Sequence, residues 1–329
     1  MKSFSSKDWT LTVITGLLIL VLFSLPTIGT THEVSKNGGD FGSIQAAIDS
    51  AAPGDTILIR EGIYEENISV DKDIVLKGQN PSKVSITGSE EGYPLLKVGP
   101  SNVTVTLEDL SLADALGKRC EDREVGLCPV GISTLGEPKL KVKNLVVSGK
   151  EESGIYLRDS VEAVISSSEI SGSGWCGVFV GDSAKVVIHK STVTNKANGI
   201  WVGDSAEATI SNSKFLQNKY GIRIRNSAQV AISDGVVKDN EYGIWLGGLT
   251  WTTVEDCEVI GNNGPGIQLR DTASASLNGN TIRENSTGID IYMAEVFSVN
   301  LKGAGNEIAE NKKDFDNVPQ NLQERLVSG

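Results

Sequence analysis

"NGIWVGDSAEATISNSKF", residues 198–215, contains one unit of the pattern that decides the fold. After Gly199, Ile200 and Val202 alternate with Trp201 and Gly203. A Gly-Asp-Ser turn follows, then a second alternating run, "EATIS", and then a lone apolar residue, Phe215. Alternation with period two and β-branched residues marks a strand with one buried face. The opening pair, Gly followed by Ile or Val, recurs at 131, 154, 177, 199, 221, 243, 266 and 288, in steps of 22 or 23 residues. A fixed period in this range is the signature of a solenoid.

Each later unit repeats the same parts. The first and third residues after Gly are aliphatic throughout: Ile155/Leu157, Val178/Val180, Ile200/Val202, Ile222/Ile224, Ile244/Leu246, Ile267/Leu269 and Ile289/Ile291. The third apolar site is Val193, Phe215, Val237, Val259 and Ile282, and an Asn follows it at 195, 218, 240, 262 and 285. Asn tolerates left-handed backbone, so it is expected at a sharp corner repeated coil after coil. No unit has room for an amphipathic helix, which disfavours leucine-rich repeats, and the period is too short for propeller blades. The fold class is therefore all-β: a single-domain parallel β-helix with three short strands in each 22–23-residue coil.

The chain resembles the right-handed parallel β-helix repeat proteins of the pectin-lyase-like superfamily, in the branch of NosD-like and carbohydrate-binding or sugar-hydrolase repeats. Two segments carry the resemblance. One is "SIQAAIDSAAPGDTILIREGIYEENISVDKDIVLKGQ", residues 43–79, with its step Gly62, Tyr64, Glu66; the other is the Asn…Gly-Ile-x-Leu repeat. It spans roughly residues 40–312 and implies the right-handed β-helix. It implies little about activity, because this fold carries lyases, hydrolases, esterases, epimerases, adhesins and binding proteins. The catalytic patterns of polygalacturonases, pectate lyases, pectin methylesterases and alginate epimerases are all missing, so the reading leans away from an enzyme and names no established catalytic residue.

The ends of the solenoid have their own signals. Ser43 to Ala52 reads as a capping helix with Ser43 as N-cap and Ile44, Ala47, Ile48 and Ala51 on one face. Phe315, Val318, Leu322 and Leu326, within 313–329, are expected to cover the other end, as exposed sheet edges require. Residues 113–130, "ADALGKRCEDREVGLCPV", interrupt the repeat and read as an inserted loop. At the start, Lys2 and Lys7 precede an apolar run from Leu11 to Leu25, then Pro26 and small residues near Gly29. Residues 1–30 read as a signal peptide, with an uncleaved anchor as the alternative. Residues 31–329 then form the β-helix domain, secreted, periplasmic or on the cell surface, touching a membrane only through residues 11–25 if these are retained. In an oxidising compartment Cys120 and Cys128 are expected to pair, while Cys176 and Cys257 are expected to stay separate thiols.

Function classes can be narrowed by charge. Thirty Lys and Arg stand against 42 Asp and Glu, a net charge of −12, which argues against a nucleic-acid partner. Residues two after Gly are expected to point outward: Ser133, Tyr156, Phe179, Trp201, Arg223, Trp245, Gln268 and Asp290. Stacked at about 4.8 Å per coil, Tyr156, Phe179, Trp201 and Trp245 would form an aromatic column, with glycines at 181, 203 and 247 leaving the rings open on one flank. Such a stripe suits sugar rings, and Arg158, Arg223, Arg225 and Arg270 suit the carboxylates of an acidic glycan. The competing reading is that the rings stabilise neighbouring strands.

Other candidates are weaker. Asp159, Asp182, Asp204 and Asp271, with Asn226 in the same frame, would hold calcium or, more simply, satisfy turn backbone. Asp290 and Glu295 lie near the end of the column as an acid–base pair for glycoside cleavage. His189 reads as a surface residue and His32 lies at the processed end. Two His, one internal Met (Met293) and scattered Cys offer little for copper or zinc. The expected role is binding of a polysaccharide or cell-envelope glycan. A lyase or hydrolase with an unrecognised site and a structural or adhesive surface protein are the alternatives.

Overall fold

The computed structural model describes residues 29–100, 102–117, 129–149, 152–172, 174–292 and 300–328. They form a right-handed parallel β-helix. One coil runs through strands Asn198–Val202, Glu207–Ser211 and Lys214–Leu216. Coil upon coil, these become three parallel sheets: a front sheet of 11 strands, a broad sheet of 12 and a narrow sheet of 11. The front sheet pairs Ile155, Val178, Ile200, Ile222, Ile244, Ile267 and Ile289 in succession, so each aliphatic residue sits on its counterpart one coil away. All seven are fully buried in one continuous core, as are Val193, Phe215, Val237, Val259 and Ile282.

The repeated Gly has a steric cause. A Cβ on Gly199 would lie 2.4 Å from the Gly221 carbonyl oxygen and 3.0 Å from the Phe215 ring. The corner between the narrow and front sheets is therefore too tight for any side chain.

Asn195 takes the left-handed corner as expected; the other four asparagines do something else. Left-handed backbone at that corner belongs to Asn195, Gln217, Asp239, Gly261 and Glu284, with φ between 57° and 67°. Asn218, Asn240, Asn262 and Asn285 come one residue later and turn into the core. There each side chain satisfies the preceding coil. Asn240 Oδ1 accepts from the Asn218 backbone N–H (2.9 Å), and its Nδ2 donates to the Phe215 carbonyl (3.0 Å) and to Asn262 Oδ1 (2.9 Å). Asn262 and Asn285 repeat the pattern. Buried amides that leave a sheet need partners, and this ladder supplies them. A second interior ladder runs along another corner: Ser168, Ser191 and Ser213, then Cys257, Asn280 and Asn306. Cys257 Sγ accepts from the Gly235 N–H at 3.4 Å, so this thiol stands where other coils use Ser or Asn. Cys176 and Cys257 are both free and buried, as separate thiols. Burial pushes the Cys257 thiol up to about 11, and Cys176 further still.

Both ends are closed by helices. Helix α1, Ile44–Ser50, has Ser43 as N-cap and buries Ile44, Ala47 and Ile48. Glu66 from the next coil accepts from the Ile44 and Gln45 N–H groups and the Ser43 hydroxyl, each at 2.9 Å. His32 Nε2 lies 2.9 Å from Asp55 Oδ2 at the first coil. The C-terminal cover is a helix too, α2, Gln320–Val327, which follows buried Val318 and inserts Leu326 against the last coil. Residues 118–128, with Cys120 and Cys128, lie outside the described residues, as do residues 1–28 and 293–299, the last including Glu295. Strands Ser111–Ala113 and Val130–Thr134 flank residues 118–128.

Replacing Asn240 with Ala should cost about 2–4 kcal/mol, because it strands a buried N–H and a buried carbonyl. The exposed Gln229→Ala, on a strand of the broad sheet, should change stability by less than about 0.5 kcal/mol; urea unfolding of the two variants checks the contrast.

Candidate functional site

The front sheet points Ser133, Tyr156, Phe179, Trp201, Arg223, Trp245, Gln268 and Asp290 away from the core, in register from coil to coil. Direction follows the sequence reading; exposure does not. Phe179 retains 8% of its surface and Trp245 only 6%, while Tyr156 and Trp201 are half-buried. The rings lean along the strand and lie over the glycines. A Cβ on Gly181 would meet the Phe179 ring at 2.7 Å, and one on Gly247 would meet Trp245 at 2.7 Å. Gly181 and Gly247 therefore accommodate the rings instead of exposing them, and Gly203 brings its backbone close beneath Trp201.

Along the column the contacts change character. Tyr156 stacks on Phe179 at 4.5 Å between centroids. Trp175, from the corner before the strand, packs edgewise against Trp201 at 4.7 Å and tilts over Phe179 at 5.6 Å. Arg223 then takes the place of a ring. Its guanidinium lies 4.9 Å from the Trp201 centroid, 5.2 Å from Trp245 and 4.8 Å from Tyr220. Tyr220 stacks on Tyr242 at 4.8 Å. Farther on, Arg225 and Arg270 flank Trp245 at 5.6 and 5.7 Å, and Arg270 covers Tyr292 at 4.1 Å. A guanidinium over a ring face is attracted by the ring quadrupole.

The four arginines are not equivalent. Arg158 grips Asp182 of the next coil through two hydrogen bonds, 2.9 and 3.3 Å, and is committed to the protein. Its expected role toward a ligand carboxylate is corrected accordingly. That ion pair holds the Asp182 carboxyl below its ordinary range. Arg223, Arg225 and Arg270 form no ion pair among the described residues, and Nε of Arg223 and of Arg270 is buried without a hydrogen-bond partner. Burial among the rings, with Arg225 nearby, lowers the Arg223 guanidinium from its ordinary value.

The aspartate column has a structural role in the fold. Asp159, Asp182, Asp204 and Asp271 adopt φ of 54–58°, and Asn226 61°. Each carboxylate accepts a backbone N–H one coil earlier: Gly136 to Asp159 (2.7 Å), Asp159 to Asp182 (3.1 Å), Asp182 to Asp204 (3.1 Å) and Gly248 to Asp271 (3.0 Å). These bonds cross between coils, whereas the sequence reading has each turn satisfy its own backbone. No group of three or more His, Cys, Asp or Glu among the described residues is arranged to hold a metal ion.

Asp290 ends the column. It is 5% exposed, accepts from Gln268 Nε2 at 2.6 Å through Oδ2, and its Oδ1 is buried without a partner. Burial raises its carboxyl above the ordinary range, and Asp316 beside it adds to the shift. His189 bonds Ser211 Oγ at 2.9 Å on the broad sheet, away from this face.

With this geometry the comparisons can be placed. A family model described as right-handed β-helix region matches residues 176–318, and one described as periplasmic copper-binding protein (NosD) matches residues 48–229, more than half of the chain. The protein is thus a right-handed β-helix protein. More narrowly, it belongs to the NosD family. Among solved structures it is similar to the A-module of the mannuronan C-5 epimerase AlgE4 from Azotobacter vinelandii, with 15% identity, 89% of this chain and 98% of that one covered, and a TM-score of 0.58. It is also similar to a variant of the periplasmic alginate epimerase AlgG, at 14% identity, 84% and 80% coverage and a TM-score of 0.60. These likenesses show the fold. No curated protein matches the chain in sequence.

The copper of the family description can be tested against the donors present. Cys176 Sγ is buried against the Val178 carbonyl, Cys257 is tied into a ladder, His189 is bonded to Ser211 and His32 to Asp55. These donors stand singly on different parts of the fold, and among the described residues they do not fit a copper site.

Two outcomes are expected from the column. Trp245→Ala should lower stability by about 3–5 kcal/mol, because it removes a buried ring from between three guanidinium groups. Asp290→Asn should stabilise the protein at neutral pH and do less at pH 4. A raised folded-state value means that the favourable contribution of Asp290 is present below the unfolded value, about 3.9, and is lost as pH rises through the folded one. Thermal unfolding of both variants against pH checks this.

Proposed function

We propose that the protein binds an acidic polysaccharide on the front sheet, between Trp201 and Tyr292. The observation that carries this reading is the set of three arginines without an ion-pair partner among the described residues, set against Trp201, Tyr220, Trp245 and Tyr292. The rings around Arg223 and Arg270 hold these guanidinium groups in place before a ligand arrives, which cuts the ordering cost of binding. A planar fork with a free edge is suited to a carboxylate. The half-exposed faces of Tyr156 and Trp201 and the exposed Tyr292 offer flat apolar surface to sugar rings on either side. In this reading the buried Phe179 and Trp245 support the site and do not touch ligand. Similarity to epimerases whose names specify mannuronan and alginate supports a uronate-rich partner.

An extracytoplasmic location accompanies the proposal. The NosD description and that of AlgG both say periplasmic, and the apolar run Leu11–Leu25 behind Lys2 and Lys7 fits an export signal. No helix among the described residues is long and apolar enough to cross a membrane.

A second reading rests on Asp290. A carboxyl whose hold on a proton is strengthened by burial, near Arg270, suits proton transfer at the end of a glycan groove. In that case incubation with a uronan would release new unsaturated or reducing ends, and Asp290→Asn would abolish the release; a uronan left intact by the native protein rejects it.

Affinity electrophoresis against neutral and uronate polysaccharides tests the binding reading. Arg225 is exposed, so Arg225→Ala should keep the melting temperature within about 2 °C and weaken uronate binding about tenfold or more. Retardation by neutral glycans alone, or uronate retardation unchanged in Arg225→Ala and Arg270→Ala, would reject it.

A further inference from the structure

The broad sheet carries a second surface that the glycan reading leaves unused. Its outward residues fall into three columns. The central column is small or flat over most of its length: Thr56, Val75, Thr106, Lys141, Val164, Val187, Thr209, Ala231, Thr253 and Ser276. In its middle Val164 and Val187 stand 42% and 41% exposed. They line a shallow trough of about 370 Å³ together with Lys139, Glu162, Lys185 and Glu207.

These four charges alternate along the flanking column. Lys139 lies 3.7 Å from Glu162, and Lys185 lies 3.1 Å from Glu207. An alternating row of four has a symmetry property. Read backwards, plus-minus-plus-minus becomes minus-plus-minus-plus, so the row is complementary to a reversed copy of itself.

We propose that the broad sheet is the interface of a symmetric dimer, its occupant a second copy of this chain. The two-fold axis runs along the strand direction, between the coils of Val164 and Val187. The two solenoids then lie face to face with opposed coil axes. Lys139 faces Glu207 of the second copy, Glu162 faces its Lys185, and Val164 packs on its Val187. The remaining pairs fit the same axis. In the central column Lys141 meets Thr209, Thr106 meets Ala231 and Val75 meets Thr253. In the far column Lys77 meets Glu255, Lys143 meets Ser211 and Ser166 meets His189. No like charges meet in these pairs. Moving the axis by one coil either way loses one of the two ion-pair types of the flanking row. An isologous contact of this kind is self-complementary by construction.

The size is adequate. Ten coils at about 4.8 Å and five residues at about 3.3 Å give a face of roughly 700–800 Å², and a stable dimer buries about 800 Å² per partner. The dimer would also occupy exposed valines on a flat strand face, 42% and 41% exposed among the described residues.

The test is the mass in solution of the protein purified as the cell produces it, by light scattering and sedimentation across a range of concentrations. The expected result is a mass of two chains that falls to one on dilution. Val187→Glu, at an exposed position, should raise the dissociation constant by about tenfold or more. Glu162→Lys should do the same, because it faces Lys185. The double change Glu162→Lys with Lys185→Glu should restore the dimer, since the new row is again complementary to its reverse. Far-ultraviolet circular dichroism and the melting temperature confirm that each variant is folded. A native protein that stays monomeric at every concentration overturns the proposal. So does a dimer indifferent to both single changes, or a double variant that stays monomeric.

Discussion

Everything in this molecule depends on satisfying backbone amides where the chain turns out of one sheet and into the next. Within the sheets the strands do this for one another. At the corners they cannot, and buried Asn, Ser and Cys side chains reach one coil along to close the gap. The result is a period that cannot drift, because a slip of one residue would leave a donor and an acceptor unpaired in the core of each coil it touched. A strict period in turn forces like positions to stack. Outward residues therefore meet their counterparts at strand spacing whether or not they suit one another. On the front sheet the rings adapt by leaning onto Gly181 and Gly247 and by admitting Arg223 between Trp201 and Trp245.

Much of this was legible in the sequence. The Gly-Ile frame, the inward aliphatic pairs, the N-terminal cap at Ser43 and the direction of the aromatic column all follow from spacing. What spacing could not convey was how side chains settle between coils. The exposure of Phe179 and Trp245 depends on side-chain lean, which has no signature in a linear pattern. Arg158 holds the same place in the repeat frame as Arg225 and Arg270, four after Gly, yet Asp182 one coil away claims it. The asparagines were assigned to the left-handed corner because Asn is common there. The interior ladder at the next residue was missed, although the pairing of Asn218, Asn240, Asn262 and Asn285 with buried neighbours offered a signal. The charge row on the broad sheet was present in the text as Lys139, Glu162, Lys185 and Glu207, but without the register it reads as ordinary surface.

Electrostatics separates the two outer faces. The chain is acidic by 12 charges, yet its front face gathers three arginines that form no ion pair among the described residues. In a molecule with acid to spare, that is an uneven use of charge. The broad sheet does the reverse and neutralises each charge of its flanking row Lys139, Glu162, Lys185 and Glu207 locally. One face is thus left with unanswered positive charge, and the other is balanced within itself.

The ladders also have a direction. Asn240 seals the corner of the coil before it, Asn262 seals that of Asn240, and so on to Asn311, whose Oδ1 accepts from Asn285. No further coil serves Asn311, so its own N–H turns to Asp314 nearby, while α2 receives Asn306 through the Leu326 carbonyl. Each coil is completed only by the one that follows it in the chain. A polypeptide delivered N-terminus first can therefore assemble like a wall laid in courses, each course finishing the last, with α1 as its footing and α2 as its coping.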